Sequence, residues 1–127
     1  MITKEITICG KQVTLGYCYA TEIAYKAMVD EDINDFVGSA VARIQEKKDP
    51  EIKGMLFFIL AAIKSYYESQ SKLEDRTPPV TDGDLMYNAT PAEICKALGT
   101  VLSLRAEFYK IPGEPEDTKN DGEEKNV

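Results

Sequence analysis

Apolar and polar residues alternate at the start of the chain, over residues 6–9 and 12–15. Such alternation is typical of half-buried β-strands. The two residues between the runs are Gly10 and Lys11, and a two-residue loop that begins with glycine favours a type II′ hairpin turn. This turn predicts a register that brings four apolar side chains to one face and leaves Thr7 and Thr14 on the other. The predicted apolar pairs are Ile8 with Val13 and Ile6 with Leu15.

Helical spacing replaces the alternation after residue 19, and two apolar stripes at i, i+3, i+4 and i+7 predict two amphipathic helices. Asp30 and Asp32 are both available as the N-cap of the second helix. The first stripe comprises Ala20, Ile23, Ala24, Ala27 and Met28. The second comprises Ile33, Phe36, Val37, Ala40, Val41 and Ile44.

The most apolar stretch of the chain, residues 55–63, has no polar side chain on any side. Asp49, Pro50 and Glu51 precede it. They are typical of a helix start, with a cap, a proline at the first helical position and an acid in the first turn. Because a helix that is apolar all round must be surrounded by other elements, the sequence predicts that this is the core helix.

Two capping-box patterns follow a polar connector over residues 69–80, where Pro78 and Pro79 cannot continue a helix. The box over residues 81–84 predicts a short turn through residues 85–87. The box over residues 90–93 predicts a helix that ends near Lys110. One side of this last helix carries Ile94, Leu98, Val101, Leu102, Arg105 and Phe108.

Together these elements predict an α+β, mainly α fold, in which a β-hairpin is followed by a small bundle of about four helices. We expect one globular domain over residues 1–111, since the whole chain has 127 residues. Residues 112–127 contain six acids, two lysines and one apolar residue. This composition predicts a disordered acidic tail.

Composition excludes several classes of function. The net charge of −7 repels phosphate backbones and disfavours nucleic acid as a partner. The chain has no histidine, which removes Ser–His and Cys–His nucleophile pairs and imidazole metal sites. Cys9, Cys18 and Cys95 match neither a zinc pattern nor a disulfide framework, and are interpreted as small buried residues in a reducing cytosol. We therefore expect no catalytic residue, no metal and no cofactor.

An acidic cluster and the apolar runs each suggest a further function and then fail to support it. Residues 30–35 resemble the start of a calcium loop, but Asp35 takes the place of the sharp-turn glycine and Val41 that of the bidentate glutamate. Helix capping explains this cluster better.

No apolar run is long enough to span a membrane, and the first residues do not resemble a signal peptide. The sequence predicts a soluble cytoplasmic protein without a membrane partner.

The order of these elements resembles the tail assembly chaperones of long-tailed bacteriophages and prophages. The resemblance covers roughly residues 2–111. It consists of the hairpin over residues 6–15, the segment over residues 17–25, an acidic turn, the helix opened by Asp49-Pro50-Glu51 and a last amphipathic helix. It implies a non-catalytic protein of the host bacterial cytoplasm that coats the tape-measure protein of the phage tail and keeps it soluble. Because that family is very divergent, the resemblance transfers no individual site residue.

A partner of this kind would be an apolar-faced helix, bound between the hairpin and the second apolar stripe. Tyrosines are enriched in interfaces, although a place at the margin of the core is the alternative for them. The candidate partner-binding residues are Ile33, Phe36, Val37, Val41, Ile44, Tyr17 and Tyr19. Self-association is the competing use of this surface. The alternative functions are another small virion component, such as a connector or tail-completion protein, and a small carboxylate-dependent enzyme.

Overall fold

The structure is a computed structural model that describes residues 1–70 and 77–110. It confirms the predicted mainly α, α+β fold, with an N-terminal antiparallel hairpin followed by five helices. The strands are β1 (Ile2–Ile8) and β2 (Lys11–Tyr17). The helices are α1 (Tyr19–Val29), α2 (Ile33–Gln45), α3 (Ile52–Glu68), α4 (Asp82–Tyr87) and α5 (Pro91–Phe108). The predicted tail over residues 112–127 and the middle of the predicted connector lie outside the described residues.

The hairpin has the predicted faces but a different register. Ile6 lies opposite Val13 and Ile8 lies opposite Lys11, so the predicted pairing is wrong by two positions. A shift of two residues leaves every side chain on its own face of the sheet, because side chains alternate with a period of two. The same apolar face is therefore still buried against the helices, as predicted. It carries Ile6, Ile8, Val13 and Leu15.

The turn of the hairpin lies at Cys9 and Gly10, one residue earlier than predicted. Both residues have positive φ, 54° and 74°, which is the pattern of a type I′ turn and not of type II′. The amide of Cys9 donates a hydrogen bond to Glu93 Oε2 at 3.0 Å, near the start of α5. A tertiary contact thus supports a left-handed backbone at a residue other than glycine.

α3 is the core helix, as predicted. It contacts β2, α1 and α5, and residues 58–63 are all buried. Its start differs from the prediction, because Glu51 and not Asp49 is the N-cap, and Pro50 precedes the helix. The Oε1 atom of Glu51 accepts a hydrogen bond from the amide of Gly54 at 3.1 Å. This bond satisfies an amide of the first turn that has no partner within the helix.

α1 turns a different face to the core from the one predicted. The buried residues are Thr21 and Tyr25, whereas Ile23 is exposed. Thr21 Oγ1 donates to the carbonyl of Gly16 at 3.1 Å and bonds Ser65 Oγ at 2.8 Å. Partners on β2 and α3 allow this hydroxyl to be buried, which hydrophobic periodicity does not anticipate.

α2 begins at Asp32, one of the two predicted caps, and is anchored by one aromatic ring. The ring of Phe36 lies on Gly54 of α3, so closely that a Cβ atom there would come within 2.4 Å of the ring carbons Cδ1 and Cε1. Tyr25 and Phe58 flank the same ring, with centroids 5.8 and 5.6 Å away. The first half of α2 is thereby attached to the domain, while Val41 and Ile44 in its second half stay exposed.

α4 and α5 begin at the predicted capping boxes, with Thr81 and Thr90 as N-caps. The buried face of α5 differs partly from the predicted stripe. Ala97 and Leu104 are buried, whereas Leu102 is only half-buried, and the helix ends at Phe108. In residues 1–70 and 77–110, no helix is long and apolar enough to cross a membrane.

Candidate partner-binding surface

Three of the residues predicted to bind a partner lie in the core. Tyr17, Ile33 and Phe36 are buried, and the expectation that they form an exposed contact surface is corrected. Tyr17 packs edge-on against Phe58 at a centroid distance of 6.1 Å, in the same aromatic cluster that holds Phe36. These rings fill the space between α1, α2, α3 and β2, because their large apolar area stabilises the fold most when it is removed from water.

The other predicted residues do not form one surface. Val41 and Ile44 are 43% and 48% exposed on α2, and Val37 beside them is half-buried. Tyr19 is 65% exposed on α1 and packs against Phe108 at the end of α5, with centroids 5.1 Å apart. Tyr19 and Ile44 therefore line two separate hollows, and neither Val37 nor Val41 lines either of them.

The larger apolar surface runs along α5. Two adjoining hollows of about 370 and 770 Å³ share Asp49, Pro50 and Cys95 in their linings, and we call them together the α5 groove. The smaller hollow is lined further by Ile44, Lys47, Lys48, Leu98, Gly99 and Leu102. The larger is lined further by Arg43, Glu51, Ile52, Met55, Leu56, Leu85, Met86, Ala89, Pro91 and Ile94.

Part of the apolar surface of the α5 groove comes from α4, which is too short to cover its own side chains. α4 has six residues, of which only Leu85 is buried, so Met86 stays 47% exposed at the groove. Ile52, in the first turn of α3, is exposed beside it. Sequence reasoning missed Ile52 and Met86 as binding residues. For Met86, the available signal was a helix of one or two turns with more large apolar residues than it can bury.

Charged residues lie at the end of the α5 groove where α2 meets α5. Lys47 and Lys48 line the smaller hollow, and Nζ of Lys48 lies 3.4 Å from Oε1 of Glu46. Arg43 lies in the larger hollow and donates from Nη1 to the carbonyl of Asp49 at 3.3 Å. A protein of net charge −7 thus places two lysines beside an apolar floor.

A second hollow of about 650 Å³ lies on α1 and the start of α2, and we call it the α1 hollow. Tyr19 and Ile23 are its exposed apolar residues, and Lys26 and Asp32 carry opposite charges in its lining. Glu22, also in the lining, accepts hydrogen bonds from the hydroxyls of Tyr17 and Tyr109. Part of this surface is thus occupied by contacts within the chain.

The tyrosines bound to Glu22 are poor candidates for acid–base chemistry. Burial, together with the hydrogen bond to Glu22, raises the pKa of Tyr17 well above its usual value. The hydrogen bond from Tyr109 to Glu22 raises the pKa of Tyr109 to about 12. Both phenols therefore stay protonated at neutral pH. Through Glu22 of α1, these hydrogen bonds connect the end of β2 with the end of α5.

The three cysteines are free thiols. Burial, with the carboxylates of Glu93 and Asp84 nearby, raises the pKa of the Cys9 thiol. Cys9 and Cys18 are half-buried and Cys95 is exposed on α5, so the expectation that all three are buried is wrong. Within residues 1–70 and 77–110, no group of three or more Cys, Asp or Glu side chains is arranged to hold a metal ion.

No family model, curated protein or solved structure matches this chain.

Proposed function

We propose that this protein is a non-catalytic tail assembly protein of a bacteriophage or prophage, a chaperone that binds apolar helical segments of the tape-measure protein in the host bacterial cytoplasm. The observation that carries the proposal is the α5 groove, an open apolar surface with exposed Ile44, Ile52 and Met86. Contiguous exposed apolar surface of this kind is typical of protein interaction sites. The resemblance to tail assembly chaperones supplies the partner.

The dimensions of the α5 groove suit a helix. Its lining follows α5 from Pro91 to Leu102. Eleven residues of α-helix rise about 17 Å, or roughly three turns. A bound helix of similar length would place side chains at i, i+3 or i+4, i+7 and i+11 along this distance, which is the usual pattern of helix-in-groove recognition.

The net charge supports the same function. A chaperone that covers apolar segments of a long protein must keep the complex in solution, and repulsion between copies of charge −7 opposes their aggregation. A binding protein of this kind needs no titrating nucleophile.

Co-expression tests the proposal. The chain is produced together with the long tape-measure protein, whose reading frame the resemblance places beside the gene of this chain. The soluble fraction is then tested for a complex of the two proteins. Ile52→Asp places a charge in the α5 groove, and Ile23→Asp is the matched control, because Ile23 is 71% exposed in the α1 hollow. Both changes affect exposed positions and should leave folding nearly unchanged.

We expect the wild type and Ile23→Asp to keep the long protein soluble and to co-purify with it, and Ile52→Asp to lose both effects. If the long protein is equally soluble without this chain and forms no complex with it, the chaperone function is wrong. Co-purification with a mature tail structure instead of the long protein would favour the alternative, another small virion component.

A further inference from the structure

We infer that the α5 groove binds an amphipathic helix that crosses α5 at Gly99 and carries carboxylates beside its apolar face, in contact with Lys47 and Lys48. The inference rests on the proposed function and specifies both the crossing point and the charge of the bound segment. Two positions carry it, Gly99 and Lys47. Gly99 is a glycine inside a helix, and Lys47 is a lysine in the left-handed conformation, so each residue type disfavours the backbone conformation that it adopts.

Gly99 lies in the interior of α5 and is exposed in the smaller hollow. Glycine disfavours a helix interior relative to alanine. A Cβ atom at this position would have no neighbour within 4 Å, so no contact within the described chain requires the glycine. The missing side chain leaves the backbone of α5 open to close approach from outside, which is a common use of glycine at binding surfaces.

Lys47 shows the opposite mismatch. It follows the C-cap of α2 with φ of 61°, in the left-handed region that glycine prefers. The amide of Lys48 donates to the carbonyl of Arg43 at 2.8 Å and that of Lys47 to Ile44 at 3.0 Å, which together form a Schellman motif. Lysine is strained here where glycine would not be. In the described part of the chain, no carboxylate lies within 4.0 Å of the Lys47 ammonium.

Both mismatches line the same hollow, with a floor formed by Ile44, Leu98 and Leu102. Gly38 is also a helical glycine without a neighbour, and Asp30 also has a positive φ of 60°. Gly99 and Lys47 differ from them because both line one apolar hollow, and there a functional reason is the first explanation to test. An approaching helix uses the open backbone at Gly99 and apolar contact with the floor. Lys47 and Lys48 outnumber Asp49, the carboxylate in the lining of this hollow. Carboxylates on the flank of the helix therefore complement the charge of the rim, and this pairing selects among apolar helices.

The alternative occupants fit less well. Residues 112–127 of this chain supply acids but only one apolar residue, Val127, so they cannot fill the floor. A second copy has net charge −7 and repels the first. An amphipathic helix with an acidic flank supplies both the apolar contact and the charge.

Two substitutions separate binding from folding. Gly99→Ala and Lys47→Gly each favour the local backbone, so both should raise the melting temperature, by about a few degrees. We expect Gly99→Ala to weaken binding by about tenfold and Lys47→Gly by about threefold at low salt, the latter difference shrinking at high salt. Gly38→Ala is the matched control, since Gly38 lies in α2 outside the groove and a Cβ atom there also has no neighbour within 4 Å.

The probe is a labelled alanine-rich peptide with leucines at i, i+4, i+7 and i+11 and glutamates on both flanks, measured by fluorescence anisotropy. A second peptide has lysines in place of the glutamates and should bind more weakly. Alkylation of Cys95, which is exposed in the groove, gives an independent signal, because the bound peptide should slow it. Reaction of the half-buried Cys18, which lies outside the groove, should not change.

Equal affinity for the two peptides, or unchanged affinity in both groove variants, would overturn the inference. If the long phage protein still co-purifies with Gly99→Ala and Lys47→Gly as it does with the wild type, the inference is wrong while the proposed function stands. If the wild type self-associates in sedimentation and Gly99→Ala abolishes this, the occupant is a second copy and the inference is wrong. Failure of the wild type to bind the long protein contradicts the proposed function instead.

Discussion

Replacing Gly54 by alanine tests how α2 is attached to the domain. Gly54 lies in the first turn of α3, and the ring of Phe36 from α2 lies directly on it. In most helices this change stabilises the protein, because alanine favours the helix by about 1 kcal/mol over glycine. Here the added Cβ atom would come within 2.4 Å of two ring carbons of Phe36, a distance at which the ring must move.

The ring has little room to move, since Tyr25 and Phe58 lie against it at 5.8 and 5.6 Å between centroids. Overpacking of a filled core costs about 1–3 kcal/mol, and expulsion of the ring would lose about 1.5–3 kcal/mol of apolar burial. Against the gain of about 1 kcal/mol in helix propensity, we expect Gly54→Ala to lower the free energy of unfolding by up to about 2 kcal/mol.

Urea unfolding followed by far-ultraviolet circular dichroism measures this change, with Gly38→Ala as the control. Gly38 is a helical glycine with no neighbour near its Cβ position, so the control should raise the free energy of unfolding. In a Phe36→Ala background the clash is gone, and Gly54→Ala should become neutral or stabilising. If Gly54→Ala stabilises the wild type as much as Gly38→Ala does, the attachment of α2 through Phe36 is wrong.

Three further predictions concern stability. Leu60→Ala in the core helix should cost about 2–5 kcal/mol in urea unfolding, because Leu60 is buried among the other core residues; a cost below 1 kcal/mol would contradict its place in the core. Deletion of residues 112–127 should leave the melting temperature nearly unchanged, because this segment has only one apolar residue to bury; a fall of about ten degrees would show that it docks on the domain. Tyr109 and Tyr17 have pKa values above the usual 10, with that of Tyr109 at about 12. The unfolded chain therefore loses these phenol protons first, so stability that is present below pH 10 should fall as the pH rises towards 12. Absorbance titration of the phenolates follows the ionisation directly, and normal titration of all tyrosines in the folded protein would contradict the bonds to Glu22.

The strongest local patterns in the sequence predicted the elements correctly. The apolar run over residues 55–63 is the core of α3, and the capping boxes at Thr81 and Thr90 open α4 and α5. These patterns succeed because capping uses neighbours three residues away, and a helix with no polar face has only one place in a domain. Faces of the hairpin were also predictable, since alternation alone defines them.

The candidate site was less predictable, and the residues that failed show why. Periodicity treats Thr21 and Tyr25 as polar and Ile23 as apolar, yet the first two are buried and the third is exposed. Partners far along the chain reverse the expectation, among them Ser65 for Thr21. Three residues that were predicted to bind a partner are buried in the hydrophobic core instead, namely Tyr17, Ile33 and Phe36.

By itself the sequence determined the strands, the helices, the core helix and the acidic balance of charge, because each depends on residues close together in the chain. Only the tertiary structure decided the hairpin turn, where Glu93 contacts Cys9, and the attachment of α2, where Phe36 lies on Gly54. It also decided which apolar side chains stay exposed along the α5 groove. Burial depends on which other parts of the chain pack against a surface. A pattern along the sequence does not record contacts between distant segments.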